Sequence, residues 1–143
     1  MQTIEYNSCI RFHPAADATK AYVSINGANT GCSAGVGRSG TKQNLNLKID
    51  PLDQGCFRLG SIMHELLHAL GFYHQHRAHN RDQFIQINWE NITVGKEDAF
   101  GKYNAQTSTH FGVGYDYDSV LHFGPNAFSK NGKNTNRSFE GFG

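Results

Sequence analysis

Apolar residues recur at helical spacing in one segment of the chain. They occupy positions i, i+3, i+4, i+7, i+8 and i+11, namely Leu59, Ile62, Met63, Leu66, Leu67 and Leu70. This spacing is typical of an amphipathic helix with one buried face. Gly60 or Ser61 can begin the helix, and Gly71 is a natural stop because glycine tolerates the positive φ of a helix end. The pattern predicts a helix over 59–70.

Alternating apolar and polar residues predict strands before this helix. Residues 21–25 (AYVSI) and 44–49 (NLNLKI) alternate in this way. Turn-forming residues lie at 26–31 (NGANTG), and glycines are frequent at 35–40 (GVGRSG). We therefore expect residues 1–57 to be rich in β-structure.

The periodicity weakens after residue 83. Residues 84–89 (FIQINW) predict a short strand, and residues 97–103 (EDAFGKY) predict a helical turn. Residues 104–143 are rich in Gly, Asn, Ser and Phe and show little regular spacing. Because no repeat or linker divides the chain, the pattern predicts a single α+β domain over 1–143.

Composition excludes several classes of protein. The 143 residues are 38% hydrophobic and 17% charged, which is typical of a globular domain and not of a disordered chain. The net charge is +1 and the basic residues are scattered, so we expect no nucleic acid and no membrane surface as a partner. No apolar run reaches transmembrane length, and the first residues lack the features of a signal peptide.

The three cysteines, Cys9, Cys32 and Cys56, include no CxxC pair, which argues against a thiolate zinc site. Their odd number indicates one disulfide and one thiol whose partner lies elsewhere. A disulfide between Cys32 and Cys56 would staple the hairpin-like region before the helix. Two buried free thiols are the alternative in a reducing compartment.

Histidines and a glutamate cluster at the end of the predicted helix. Positions i and i+4 of a helix lie about 40° apart, so His64 and His68 share a face and can bind one metal ion. Glu65 is rotated from them by about 100° and can reach a metal-bound water without being a ligand. Gly71 permits a sharp turn, which places His74 to complete a set of three imidazoles. Three imidazoles with an open fourth position are typical of catalytic zinc.

The full spacing H-E-x-x-H-x-x-G-x-x-H is the metzincin signature. A lone H-E-x-x-H often arises by chance, whereas five specified positions within eleven residues rarely do. No such geometric argument applies to His76 and His79, which we expect to be exposed polar side chains.

Five stretches resemble the astacin family of zinc endopeptidases. Residues 64–82 (HELLHALGFYHQHRAHNRD) match its extended signature, and residues 8–12 (SCIRF) resemble its cysteine-containing strand. Residues 31–40 (GCSAGVGRSG) with 55–57 (GCF) resemble its disulfide-linked hairpin, and residues 115–124 (YDYDSVLHFG) resemble the segment carrying its Met-turn. The resemblance covers essentially the whole chain.

The resemblance implies a metzincin-like α+β fold: a twisted mixed sheet, an active-site helix and a largely irregular C-terminal part. Family domains are longer than this chain. The resemblance therefore implies truncation at both ends, with the first helix before Met1 and the partner of Cys9 after Gly143. It also implies a Cys32–Cys56 disulfide and a secreted protein.

The resemblance implies a peptidase that binds one Zn²⁺ per domain. His64, His68 and His74 would be its ligands, and Glu65 would act as general base and acid. An extended protein or peptide substrate would pair with the glycine-rich edge at 33–40. An ordinary hairpin is the alternative for that edge.

Three positions depart from the family pattern. Leu121 replaces the methionine of the Met-turn, a change that nearly conserves volume. Gln75 replaces a glutamate that helps to receive the mature N-terminus. Phe123, which follows His122, replaces a tyrosine whose hydroxyl contributes to catalysis. The departures at 75 and 123 leave a second hypothesis open: a zinc-binding pseudo-protease that acts as a peptide-recognition module.

Overall fold

The computed structural model describes residues 1–16, 18–27 and 31–139. It divides into two compact units, Met1–Phe72 and Tyr73–Gly143, which are described separately below. The single domain expected from the sequence stays a prediction. Within the described ranges, no helix combines the length and apolar character that a bilayer crossing requires.

The first unit combines two helices with a mixed three-stranded sheet. Its elements are α1 (Gln2–Asn7), β1 (Val23–Asn26), β2 (Cys32–Ala34), β3 (Gln43–Leu47) and α2 (Leu59–Ala69). The strand order is β1-β3-β2, with β1 parallel and β2 antiparallel to β3. The mixed sheet and the helix expected over 59–70 are both confirmed.

The core of the first unit lies between β3 and α2. Leu45 and Leu47 are two residues apart on β3, so they point to the same face of the sheet, and both are buried. They form one cluster with Leu66 of α2, Ile4 of α1 and Cys56. The alternation that predicted the strand is therefore the feature that forms this core.

A disulfide joins Cys32 to Cys56 and confirms that pairing. It links β2 to the short 3₁₀ turn Gly55–Phe57 directly before α2. A cross-link that closes a loop of this size stabilises a fold by about 3 kcal/mol. Cys9 is an exposed free thiol among the described residues.

The expectation of β-structure near the N-terminus is wrong for residues 2–12. Residues 2–7 form α1, and residues 8–12 form no strand. Side chains occupy the backbone groups that a strand partner would need. Arg11 donates hydrogen bonds to the carbonyls of Glu5, Ser8 and Ile10. The carboxylate of Glu5 accepts the N–H of Phe12. The turn expected at 26–31 includes residues 28–30, which lie outside the described residues.

The second unit contains little regular structure. Its strands, β4 (Ile85–Ile87) and β5 (Asn136–Ser138), pair antiparallel, and a 3₁₀ turn covers Glu97–Phe100. The short strand expected in 84–89 and the helical turn expected in 97–103 are confirmed. Nothing in the sequence pattern predicted β5, because its buried residue is the polar Asn136.

Buried polar side chains hold the irregular segments of the second unit together. The side-chain amides of Asn91 and Asn136 donate to the carbonyls of Asn134 and Gly124. The hydroxyl of the buried Thr135 donates to a backbone carbonyl as well. These bonds replace the backbone ladders that longer strands would supply.

A buried guanidinium has the same role in this unit. Arg81 is 3% exposed and donates to the carbonyls of His76 and Phe100. Its Nε–H donates to the carboxylate of Asp82, which also accepts a hydrogen bond from the ammonium group of Lys102. The charge of Arg81 is therefore paired although its side chain is buried.

We expect Leu45→Ala to lower the free energy of unfolding by about 2–5 kcal/mol, because Leu45 is fully buried between β3 and α2. Leu52→Ala is the matched control, since Leu52 is 80% exposed and should change stability by less than about 0.5 kcal/mol. Urea denaturation of the two variants measures the difference. Equal effects would contradict the assignment of this core.

Candidate metal centre

The end of α2 is fixed by one carbonyl group. The carbonyl oxygen of His68 accepts the N–H of Gly71 at 2.8 Å and the N–H of Gly37 at 2.8 Å. Gly71 has φ +105° and Gly37 has φ +74°, which are conformations that other residues rarely adopt. A Cβ atom on either glycine would come within 4 Å of the other glycine's Cα. The glycine stop expected from the sequence is therefore present, and the glycine-rich loop at 35–40 packs on it.

Three histidines within and after α2 bring ring nitrogens together. One ring nitrogen from each of His64, His68 and His74 lies within 4.8 Å of the other two. The Nε2 atoms of His64 and His68 are 3.0 Å apart. A spacing of this size suits three ligands of a single ion. The structure thus brings together the three histidines selected from the sequence.

The hydrogen bonding of His68 suits a metal ligand. Its Nδ1–H donates to the carbonyl of Phe72 at 2.7 Å, so the lone pair lies on Nε2. Ligating histidines usually donate their second ring nitrogen in this manner, which fixes the ring orientation. Burial also lowers the pKa of His68, favouring the neutral imidazole that binds metal.

Glu65 is buried beside these histidines on α2. Its carboxylate accepts a backbone hydrogen bond from Ala34 of β2, while its Oε2 atom has no partner among the described residues. Burial raises the pKa of Glu65, and the nearby His64 and the Ala34 hydrogen bond act in the opposite direction. A buried carboxylate with one unused oxygen is suited to receive a proton.

In the second unit, the segment around Leu121 contacts the residues that follow His74. The N–H of Gln75 donates to the carbonyl of Leu121 at 3.0 Å. The ring of Phe123 lies 5.0 Å from the ring of His74. Leu121 is itself buried. The segment that resembles the Met-turn is therefore packed against His74 and the residue that follows it.

The hydrogen-bond partners of His122 are residues outside the three-histidine group. Its Nδ1–H donates to the carbonyl of Phe123, and its Nε2 accepts the hydroxyl of Tyr115, both at 2.7 Å. Burial lowers the pKa of His122 and raises the pKa of Tyr115. Both ring nitrogens of His122 are thus committed to structure.

The expectation that His76 is exposed is wrong, because its side chain is completely buried. Its ring stacks on Phe123 at 3.8 Å, and its Nε2–H donates to the carbonyl of Ala99 at 3.0 Å. Burial lowers its pKa to about 3. His79 is only half-buried and stacks on His110 at 5.8 Å. Local sequence spacing gave no signal for His76, since its partners are distant along the chain.

Phe123 belongs to a cluster of aromatic rings. Besides His74 and His76, it contacts Phe100 at 5.7 Å and Phe128 at 5.5 Å between ring centroids. Each of these two contacts is tilted or edge-on, an arrangement that aromatic pairs prefer. The ring at position 123 is therefore held firmly, although it carries no hydroxyl.

The match to a protein family is extensive. Residues 1–140 match the model of the Astacin family, which is described as a peptidase family. The chain belongs to the astacin family. Zinc is the metal that its zinc metalloproteases use, and the three imidazoles of His64, His68 and His74 form a group that can bind it.

Individual relatives point the same way. The chain is 48% identical over 136 residues to seminal metalloprotease 1 of Drosophila melanogaster, a match that covers 92% of this chain and 54% of that protein. It is 43% identical over 128 residues to zinc metalloproteinase nas-13 of Caenorhabditis elegans, covering 90% of this chain and 27% of that one. The chain thus spans about half the length of the first relative and about a quarter of the second.

A solved structure shares the fold. High choriolytic enzyme 1, a hatching enzyme zinc-protease from Oryzias latipes (medaka fish), matches with a TM-score of 0.81 and 35% sequence identity. The match covers 92% of this chain and 62% of that chain. The α+β, metzincin-type fold implied by the sequence is confirmed.

We expect Gly71→Ala to weaken zinc binding, because a Cβ strains the backbone at φ +105° and displaces the turn that leads to His74. The strain should also lower stability by about 1–3 kcal/mol. Competition with a chromogenic chelator measures the zinc dissociation constant, and urea denaturation measures stability.

Gly112→Ala is the matched control for this strain. Gly112 also has a positive φ, +76°, but a Cβ there meets nothing within 4 Å. We expect this variant to lose stability and keep its zinc affinity. An unchanged zinc affinity in Gly71→Ala would show that the turn does not position His74.

Proposed function

We propose that this chain is the peptidase part of a secreted zinc metalloendopeptidase. The observation that carries the proposal is a buried carboxylate with an unused oxygen, Glu65, on the same helix as two members of the three-histidine group. Membership of the astacin family supports it, as does the zinc metalloproteinase among its relatives. The Cys32–Cys56 disulfide is consistent with secretion, since such bonds persist in oxidising compartments.

The residues of the group fit a zinc ion, and His64, His68 and His74 would hold it. Three neutral imidazoles provide the donor set of a catalytic zinc site. When bound there, zinc supplies Lewis-acid activation of water and of a peptide carbonyl.

Glu65 moves the proton in the proposed reaction. Its Oε2 atom takes a proton from the attacking water and then delivers it to the nitrogen of the leaving amine. Burial, which raises the pKa of Glu65, strengthens the carboxylate as a base. The hydrogen bond from Ala34 holds the carboxylate while Oε2 receives the proton. The peptide bond breaks, and one water is consumed for each bond hydrolysed.

The substrate in this proposal is a protein or peptide in an extended conformation. β2 is one of the two outer strands in the sheet order β1-β3-β2, so an extended chain can pair with it by β-augmentation. The Ala34 hydrogen bond to Glu65 links this strand to the proposed base. A substrate aligned there lies along the strand that also orients the carboxylate.

We expect Glu65→Gln to abolish peptide hydrolysis and to leave zinc bound, because the amide cannot accept the proton. Cleavage of an unfolded protein measures activity, and metal analysis measures zinc content. Glu90→Gln, at an exposed position, is the control and should cleave at the wild-type rate. Wild-type cleavage by Glu65→Gln would overturn the proposed mechanism.

The pseudo-protease that binds peptides is the second candidate, and Phe123 is the observation that favours it. Its ring is packed against His76 and has no hydroxyl to stabilise developing negative charge. Chelator-sensitive cleavage of an unfolded protein by the full-length protein separates the two functions. A pure binding module cleaves nothing, whereas the proposed enzyme loses its cleavage when a chelator is added.

We expect Phe123→Tyr to raise kcat at least tenfold. One hydrogen-bond donor to the reacting oxygen is commonly worth about 10²–10³ in kcat. Steady-state kinetics with one peptide substrate measure the change. Phe111→Tyr adds a hydroxyl at a position that is 78% exposed and should leave kcat unchanged. Equal kcat values for Phe123→Tyr and the wild type would show that the hydroxyl is dispensable here.

A further inference from the structure

His76 is a buried imidazole for which the proposed reaction has no use. Its side chain is 0% exposed, and its two ring nitrogens are directed at backbone groups. Nε2–H donates to the carbonyl of Ala99 at 3.0 Å. Nδ1 accepts a long hydrogen bond, 3.4 Å, from the N–H of Phe123. These partners define one tautomer, with the hydrogen on Nε2.

The same imidazole stacks on the ring of Phe123. Their centroids are 3.8 Å apart, and their planes differ by 22°. His74 contacts both rings, at 5.4 Å from His76 and 5.0 Å from Phe123. The three rings form one packed group, so a displacement of Phe123 is transmitted to the ring of His74.

The backbone around His76 is also held in place. The N–H of Gln75 donates to the carbonyl of Leu121, and Arg81 donates to the carbonyl of His76 at 3.0 Å. The 3₁₀ turn Gln75–Arg77 that follows His74 is therefore anchored at several points. The ring of His76 is the contact that joins this turn to Phe123 by both a hydrogen bond and a stack.

We infer that His76 is a positioning residue, which acts through Phe123 to hold His74 in its metal-binding orientation. The inference rests on the proposed function, because it takes His74 as a zinc ligand. Residues that do not touch the metal but fix the orientation of a metal ligand typically change metal affinity by about 10–100-fold when they are removed.

His76→Gln tests the inference. The glutamine amide can still donate to the Ala99 carbonyl, but it has neither an acceptor at the Nδ1 position nor a flat ring for Phe123. We expect the zinc dissociation constant of the full-length protein to rise about tenfold or more. The absorption bands of the Co²⁺-substituted protein should change as well. His79→Gln is the matched control, since His79 is half-buried and stacks on His110, and its zinc affinity should not change.

A purely structural role predicts a different result. His76→Gln would then lower the melting temperature of the metal-free protein and leave the zinc dissociation constant and the Co²⁺ bands unchanged. That outcome overturns the inference. Neither readout depends on cleavage, so a failure of the proposed hydrolysis, tested with Glu65→Gln, is distinguishable from a failure here.

A double-variant cycle tests whether His76 acts through Phe123. Phe123→Leu removes the stack from the other side and should also weaken zinc binding. We expect the zinc dissociation constant of the double variant to be no higher than the higher of the two single-variant values, because both substitutions remove one shared contact. If the two single-variant increases in the dissociation constant multiply in the double variant, His76 acts by another route. Should His76→Gln fail to fold, Phe123→Leu alone decides, and an unchanged zinc affinity in it overturns the inference.

Discussion

The carbonyl of His68 accepts hydrogen bonds from two glycines, Gly37 and Gly71, and the candidate site depends on this arrangement. The bond from Gly71 ends α2 soon after the second histidine and lets the chain leave the helix at a positive φ. The bond from Gly37 ties the loop after β2 to the same helix end. Both glycines have positive φ angles, which other residues rarely adopt. One acceptor thus joins the helix that carries His64 and Glu65 to the strand edge beside them.

The chemistry of the site follows from how its polar atoms are satisfied. His68 uses Nδ1 on the carbonyl of Phe72, which directs Nε2 toward the other imidazoles of the group. The carboxylate of Glu65 accepts a hydrogen bond from the backbone of Ala34, and its Oε2 atom has no partner among the described residues. One backbone group therefore fixes the orientation of each side chain: Phe72 for His68 and Ala34 for Glu65. Preorganisation of this kind reduces the rearrangement that a reaction requires.

The spacing of residues along the chain predicted the elements whose formation depends on neighbouring residues. The stripe of leucines predicted α2, alternation predicted β3, and the H-E-x-x-H spacing with a following glycine predicted the grouping of His64, His68 and His74. The failures have two different causes. Residues 8–12 form no strand because Arg11 donates to the carbonyls of Ser8 and Ile10, and the carboxylate of Glu5 accepts the N–H of Phe12. The burial of His76 depends on Ala99 and Phe123, which are distant in sequence, and no pattern around position 76 records them.

The state of Glu65 bears on the choice between an enzyme and a peptide-binding module. Glu65 is buried, and no described residue donates a hydrogen bond to its Oε2 atom. A module that only binds metal and peptide does not need a carboxylate at this position, since three imidazoles suffice to hold zinc. A base needs one oxygen available for the proton it receives, and a catalytic role is one explanation for an unsatisfied buried group. In the proposed reaction, Phe123 lacks a hydroxyl that would stabilise developing charge, but Glu65, the proposed base, is still present. The presence of this carboxylate therefore supports the proposed hydrolase over a module that only binds peptide.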